Sequence, residues 1–549
     1  YCALEAPTGF GKTVCIFAAY IGFYRQYEKA LQLHRVILQL QTDGKNLPLP
    51  QQSAIVAKIL ETDVQQVKVL VNFINESSVL SLFIRCEGNQ IKASSPTDEN
   101  VLKAPKLFFT SRTHEQLKQA AKSLFENFSN PPAISYLGSR SNYCQNADAI
   151  KKAKSSRISL NTVCKSFQRN NKCRFDSVYT NPISGDFEDF VANSAQNSAC
   201  PFYLAKNLVE SARIVFSPYN YVLDDQLCSE SISQALKRAV VVFDEGHSVP
   251  EMCKDTFSQS FRPSDLACSV SNLRLVLKLV NEMKMSQKAL PDDEQNKYAQ
   301  QLKLIDVGLS VIKQMQLNIE SLQRTGEKAI KFFFLQNVFD RVSPNLLSEE
   351  LFEIMEKTDS VVFNLKNSPN KLQFLGLYEQ EMDKYAYGKV QVVSKVLKIF
   401  SQAVKHSKDL KEFQVIQLLE DDEHGKQCTE FELICYTPEI AMKQLLDRQI
   451  RSLLITSGTL SPLDNLEDSL KVDFSVKESM THFFDLTRQM KTTIITKVNH
   501  NSSALIGTFN NRSAEYYIDI STAIANISVA LPNEGILVFV NSYQFLADL

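Results

Sequence analysis

The sequence predicts an α/β protein built on a parallel sheet, and three observations predict it. Ala239-Val-Val-Val-Phe-Asp-Glu-Gly-His247 is an apolar, mostly β-branched run that breaks into two acids, a glycine and a histidine. Such a run reads as a buried strand whose carboxyl end meets a ligand crevice. Ala6-Pro-Thr-Gly-Phe-Gly-Lys-Thr13 fits a phosphate-cradling loop with Ala in place of the first glycine. The same pattern of an apolar run ending in polar residues recurs at Lys106–His114, Ile134–Cys144, Ala212–Val222 and Ser452–Pro462.

In the phosphate loop, Gly9 and Gly11 let the backbone bend so that its N–H groups converge on phosphate oxygens. Lys12 supplies positive charge to the β and γ phosphates, and Thr13 a hydroxyl for a magnesium shell. Ala6, Pro7, Thr8 and Phe10 complete the cradle. Val14–Tyr27 is helix-compatible, which directs a helix N-terminus at the anion. A solvated acidic turn would explain Asp244 and Glu245 alone. Beside the loop they point to nucleoside triphosphate hydrolysis, with Asp244 holding Mg2+ and Glu245 orienting a water.

Composition bounds the class. A chain of 549 residues suggests several domains, and 44% apolar with 22% charged residues is ordinary for a globular protein. A net charge of −1 carries no global sign of a nucleic-acid partner, so any basic surface must be local. No run is long and apolar enough to cross a bilayer, so no membrane partner is expected. Twelve cysteines without paired spacing do not form a secreted disulfide framework, which favours a reducing compartment. The chain starts at Tyr1, a few residues before the phosphate loop, and reads as a fragment with a clipped first strand.

Residues 28–100 carry no chemical motif and read as an insertion, helix-like over Gln51–Phe73. Leu107–Phe109 then reads as a strand ending in Ser111, Arg112, Thr113 and His114. Hydroxyls, a guanidinium and a helix start there suit phosphates of a nucleic-acid strand; ordinary helix capping is the alternative. Arg140 is the functional candidate of the next turn.

Cys144, Cys164, Cys173 and Cys200 follow, interleaved with Lys151, Lys152, Lys154, Arg157, Lys165, Arg169, Lys172 and Arg174. The stretch reads as a local basic patch in a chain with almost no net charge, or as a solvated face. Four thiolates can bind zinc or an iron–sulfur cluster, and four unrelated buried cysteines remain the bland reading. The wide spacing, without Cys-x-x-Cys pairs, favours the cluster over zinc. Residues 255–410 are rich in Leu, Lys, Gln and Glu at helical intervals, and Lys411–Leu419 with Glu430–Tyr436 form a hairpin. Thr456, Ser457 and Thr459 offer hydroxyls beside Gly458 at a further strand end, a candidate coupling element. Gly535–Val540 reads as a last strand.

Taken together, Ala6–Thr13, Ser111–His114, Leu137–Arg140 with Cys144, Pro218–Asn220, Asp244–His247 and Thr456–Pro462 resemble, in order, the motifs of the XPD-like iron–sulfur helicases of superfamily 2. Cys200–Leu208, Phe216–Tyr221 and Arg262–Ala267 match one branch of that family in detail. The resemblance implies RecA-like P-loop motor domains, an inserted iron–sulfur domain and a mostly helical arch. The first motor domain would take 1–137 and 206–254, with 28–100 inserted, and resume over 446–475. The iron–sulfur domain would take 138–205 and the arch 255–445. A truncated second motor domain would occupy 476–549.

It further implies that Cys144, Cys164, Cys173 and Cys200 ligate a 4Fe-4S cluster. His247, Ser457, Gly458 and Thr459 would couple ATP to DNA contacts. The implied partners are single-stranded and branched or forked DNA, with 5′-to-3′ movement, in repair, recombination or telomere maintenance in the nucleus. A DNA-binding scaffold with an unused motor is the alternative, against which the intact Lys12, Thr13, Asp244 and Glu245 argue. Three departures stand out. The acidic box has Gly246 where the family usually has Ala. The 28–100 insertion is unusual, and the family's last two motifs, with their ATP-site arginines, are missing, so this piece alone is expected to hydrolyse poorly.

Overall fold

A computed structural model describes the chain apart from Thr8, Phe10 and residues 44–47, 60–63, 77–83, 88–89, 95–102, 157–158, 170, 182–184, 287–291, 324–329, 367–387, 407–409, 422–426, 482–491, 499–503, 509–510, 532–534 and 541. The chain divides into two compact units, Tyr1–Met480 and Thr481–Leu549.

The first unit is organised by a seven-stranded sheet. Its strands are β1 (Cys2–Glu5), β2 (Leu107–Ser111), β3 (Ile134–Tyr136), β4 (Ile214–Pro218), β5 (Val240–Asp244), β6 (Ser452–Ser457) and β7 (Val476–Ser479). They lie in the order β7-β1-β6-β5-β2-β4-β3, every pair parallel. Strands β2 and β4 are buried at every position, as expected of a parallel sheet covered on both faces. Because all strands run one way, their carboxyl ends share one edge. Glu5, Ser111, Asp244 and Ser457 therefore line the same rim. Strand β6 sits between β1 and β5, which sets Ser457 between the phosphate-loop strand and the acidic strand.

Helix α1 runs Lys12–Thr42, well beyond the expected Tyr27. No proline interrupts it, and Ala30, Leu31, Leu33 and Ile37 continue a buried stripe. Its first half is pinned to the sheet by aromatic packing. Phe17 lies 5.1 Å from Phe109 and 5.8 Å from Phe216, ring centre to ring centre. Each such pair contributes about 1 kcal/mol beyond its buried area. The single proton of the buried Tyr20 hydroxyl is shared between the carbonyls of Arg213 (2.8 Å) and Pro105 (3.0 Å). Its second half packs on helices Leu49–Ile59 and Val64–Glu76, so much of the expected insertion forms a small core of its own against α1.

The region expected to be a helical arch holds helices Pro263–Ser286, Asp292–Gln323, Glu349–Lys366 and Lys389–His406. It also holds a four-stranded antiparallel sheet. The hairpin pairs Phe413–Asp421 with Gln427–Cys435, flanked by Ile330–Phe334 and Gln259–Phe261.

Two expectations change. Residues 476–479 pair with β1, so the boundary expected at 476 falls after Met480. The expected strand at 535–540 is not one. Leu537 and Phe539 are exposed, and among the described residues of the second unit no strand lies beside them to complete a ladder. That unit contains helices Ala514–Ala530 and Tyr543–Asp548.

Candidate nucleotide site and its surroundings

Strand β1 delivers the chain into the phosphate loop. Gly9 and Gly11 adopt φ of 82° and 78°, a left-handed backbone that favours glycine. An added Cβ at either would meet nothing within 4 Å, so the requirement is conformational rather than one of space. Gly11 caps α1 without a side-chain acceptor, and no acid occupies the first turn. The first N–H groups of a 31-residue helix are thus left for an anion. The Lys12 ammonium folds onto the loop itself, donating to the carbonyls of Ala6 (2.7 Å) and Pro7 (3.2 Å). Thr8 and Phe10 lie outside the described residues.

Asp244 ends β5. Burial, and then the neighbouring Glu245, push its carboxyl up to about 6, while Lys12 pulls the other way. The phosphate-loop lysine is therefore within electrostatic reach of the acidic box. The Asp244 carbonyl accepts the Tyr219 hydroxyl. Glu245 takes a left-handed φ of 57°, which swings its side chain toward β6. There the Ser457 hydroxyl donates to Glu245 Oε2 at 3.0 Å. Ser457 Oγ also lies 2.8 Å from His247 Nδ1 and 3.4 Å from the Thr459 N–H. A hydroxyl has one proton. With that proton on Glu245, Ser457 accepts from Thr459, and the Nδ1–H tautomer of His247 completes its shell. Gly458 lies in the turn between Ser457 and Thr459.

Sequence reasoning missed Glu5. Its Oε1 accepts the N–H groups of Leu460 (3.0 Å) and Ser461 (3.2 Å). Its Oε2 accepts the hydroxyls of Ser461 and, at 2.6 Å, Ser479. These hydrogen bonds hold its carboxyl down at about 2. The only sequence signal was an acid directly ahead of the phosphate loop.

The residues expected on a nucleic-acid strand divide. Ser111 is fully buried and bonds Gln116 Oε1 at 2.8 Å. Thr113 caps helix α2 (His114–Asn127) in a reciprocal box with Gln116. The capping alternative thus describes Thr113, while Ser111 braces the Gln116 side chain of the same box. Arg112 keeps an exposed guanidinium that reaches the segment after the acidic box, 3.4 Å from Ser248 Oγ and 3.8 Å from Glu251 Oε2. His114 is half-buried, and burial depresses its imidazole. Arg140 faces inward. It stacks over Phe202 at 4.1 Å and bonds Tyr203 Oη (3.0 Å) and Asn161 Oδ1 (3.2 Å).

The four expected cluster cysteines come from separate elements. Cys144 follows the helix Arg140–Tyr143, Cys164 lies in helix Leu160–Arg169, Cys173 lies in the next loop, and Cys200 caps helix Pro201–Leu208. Burial raises the Cys144 and Cys200 thiols, and Cys164 and Cys173 add to the rise in both. Among the described residues, however, no three His, Cys, Asp or Glu side chains are close enough to hold a single metal ion.

Residues 109–266, from β2 past the acidic box, match the family model DEAD_2. The chain is 24% identical over 591 residues to mouse regulator of telomere elongation helicase 1, covering 99% of this chain and 44% of that protein. It is 26% identical over 584 residues to the Drosophila grimshawi homologue of that helicase, covering 99% and 54%. Residues 109–266 thus carry the DEAD_2 match, and most of the chain is similar in sequence to these helicases. A solved XPD helicase aligns over 100% of this chain and 70% of its own, with 14% identity and a TM-score of 0.45. The chain spans about half the length of the curated relatives it matches.

The glycine at 246 has a local cause. An ideal Cβ at 246 would stand 2.2 Å from Ile455 Cγ2 on the neighbouring strand β6. The β-branched Ile455 fills the space an alanine methyl would need.

Proposed function

We propose that the chain carries the nucleotide-binding motor of an ATP-dependent DNA helicase, moving 5′-to-3′ on single-stranded DNA and opening branched or forked duplex in nuclear repair, recombination or telomere maintenance. The observation that carries this reading is the Ser457 hydroxyl, which joins Glu245 and His247 on one rim with Lys12 and Asp244.

Gly9, Gly11 and the α1 N-terminus cradle the phosphates. Lys12 would turn from the carbonyls of Ala6 and Pro7 to the β and γ oxygens, and Thr13 with Asp244 would hold Mg2+, which would supply positive charge to the phosphates. Glu245 orients and deprotonates the attacking water, and Ser457 and His247 set its carboxylate. Catalysis is positioning and charge stabilisation. Because Ser457 opens the turn through Thr459, a change at the γ-phosphate is felt in the coupling segment. Arg112 is the candidate DNA contact of its strand end.

Cys144, Cys164, Cys173 and Cys200 would hold a 4Fe-4S cluster, which supplies a structural staple. Arg140, packed beside Cys164, offsets thiolate charge there rather than meeting DNA. The exposed Lys151, Lys154, Lys172 and Arg174 supply a local basic face.

The test is unwinding of a forked duplex by the full-length protein. ATP-dependent opening that requires a 5′ single-stranded arm supports the reading. ATP hydrolysis without strand opening on any fork points to a translocase or scaffold instead.

A further inference from the structure

The structure assigns Glu5 a positioning role in the proposed motor: its carboxylate clamps the root of the phosphate loop, the Ser457–Pro462 turn and the end of β7 to one point. This rests on the helicase reading above and extends it to a residue outside the family motifs named there.

Glu5 is the residue immediately before Ala6, the first of the phosphate loop. Four donors converge on its two oxygens. The Leu460 and Ser461 N–H groups and the Ser461 hydroxyl come from the turn that follows Ser457. The Ser479 hydroxyl comes from the last residue of β7, at 2.6 Å. Backbone bonds run alongside. The Ala6 N–H donates to the Ser457 carbonyl (3.0 Å), and the Met480 N–H donates to the Glu5 carbonyl (2.8 Å).

Met480 is the last residue of the first unit, so β7 is the strand from which the chain passes into the second. A single acid thus joins the segment that senses phosphate, the turn that adjoins the water-orienting Glu245, and the exit strand. Hydrogen bonds to a carboxylate are stronger and more directional than neutral ones, and two bonds per oxygen leave the group little freedom. Movement of the phosphate loop cannot occur without moving the turn or the exit strand. Ser479 is the informative partner, because it lies on β7, outside the phosphate loop and the turn, and its hydroxyl supplies the side-chain bond from the exit strand to the clamp.

The experiment uses the full-length protein with Ser479→Ala and Ser479→Thr, and Lys12→Ala as the control for the site itself. ATP affinity, DNA-stimulated hydrolysis and base pairs opened per ATP are measured with the melting temperature. In Ser479→Ala, affinity and hydrolysis stay within about twofold. Pairs opened per ATP fall about tenfold, the scale of one lost hydrogen bond to a charged acceptor. Ser479→Thr, which keeps the hydroxyl, restores coupling. Unchanged coupling in Ser479→Ala overturns the clamp, even if the melting temperature drops, and so does an equal loss in Ser479→Thr. Normal hydrolysis by Lys12→Ala would instead overturn the nucleotide-site reading. Should Ser479→Ala fail to fold, Glu5→Gln tests the same clamp, because it keeps the shape and loses the charge. Reduced coupling at near-normal ATP affinity supports the clamp there, and full coupling overturns it.

Discussion

Gly246 and Ile455 are a matched pair: the glycine omits the one carbon that would stand 2.2 Å from the Ile455 Cγ2 methyl. The backbone at 246 has no positive φ, so only space forbids alanine there. Gly246→Ala should lower stability by about 1–3 kcal/mol, the usual cost of overpacking. Moving the branch away with Ile455→Leu should recover most of that loss in the double variant. A double-mutant cycle by thermal or urea unfolding checks the coupling, and strict additivity would contradict the pairing.

Asp244 makes the site sensitive to mild acid. Its carboxyl is raised from 3.8 to about 6, first by burial and then by Glu245. A carboxyl raised in the folded state favours the protonated form. Its contribution to stability is therefore fully present below about pH 4 and lost as pH rises through about 6. A shift of that size corresponds to roughly 3 kcal/mol. In the role proposed for Asp244, magnesium–nucleotide binding would need the carboxylate and so have the opposite dependence. ATP affinity should be flat above pH 7 and weaken as pH falls through about 6, and Asp244→Asn should remove that inflection. Calorimetric titration across this range provides the check.

Ser457 is expected to matter for rate more than for binding. Removing its hydroxyl leaves Glu245 and His247 without the group that fixes both. Ser457→Ala should reduce kcat about 10- to 100-fold, with KM for ATP little changed, since lost positioning acts on the transition state. A rise in KM at constant kcat would place Ser457 in ground-state binding instead.

The four cysteines should act as one unit. Anaerobically purified protein should be brown, with about four irons and matching sulfide per chain, as a four-thiolate cubane requires. Cys144→Ser should lose most of the iron and the visible band. A colourless protein with bound zinc would replace the cluster by a zinc site, and the ATP-site geometry would stand unaffected.

What was legible in the sequence follows from physics. The strands Leu107–Ser111, Ile214–Pro218 and Val240–Asp244 read clearly because a sheet covered on both faces needs continuous apolar runs. The phosphate loop and acidic box read because their chemistry demands particular residues in a row. The edge strand Val476–Ser479 did not read, since its side chains are exposed and carry charge, as edge strands often do. Gly535–Val540 misled for the converse reason: an apolar run becomes a strand only beside a partner. The length of α1 was missed because its buried stripe continued into a region that lacked any motif. Glu5 was invisible for a different reason. A lone acid carries no pattern, and its four donors come from residues more than 450 positions away.

The central claim is that Lys12, Asp244, Glu245 and Ser457 form a DNA-responsive ATP site. The measurement that bears on it most directly is ATP hydrolysis by the full-length protein, with and without single-stranded DNA, compared with Lys12→Ala. Hydrolysis is expected to be stimulated at least about tenfold by DNA and lost in the variant, with DNA binding retained. Hydrolysis that ignores DNA, or that survives Lys12→Ala, would contradict it.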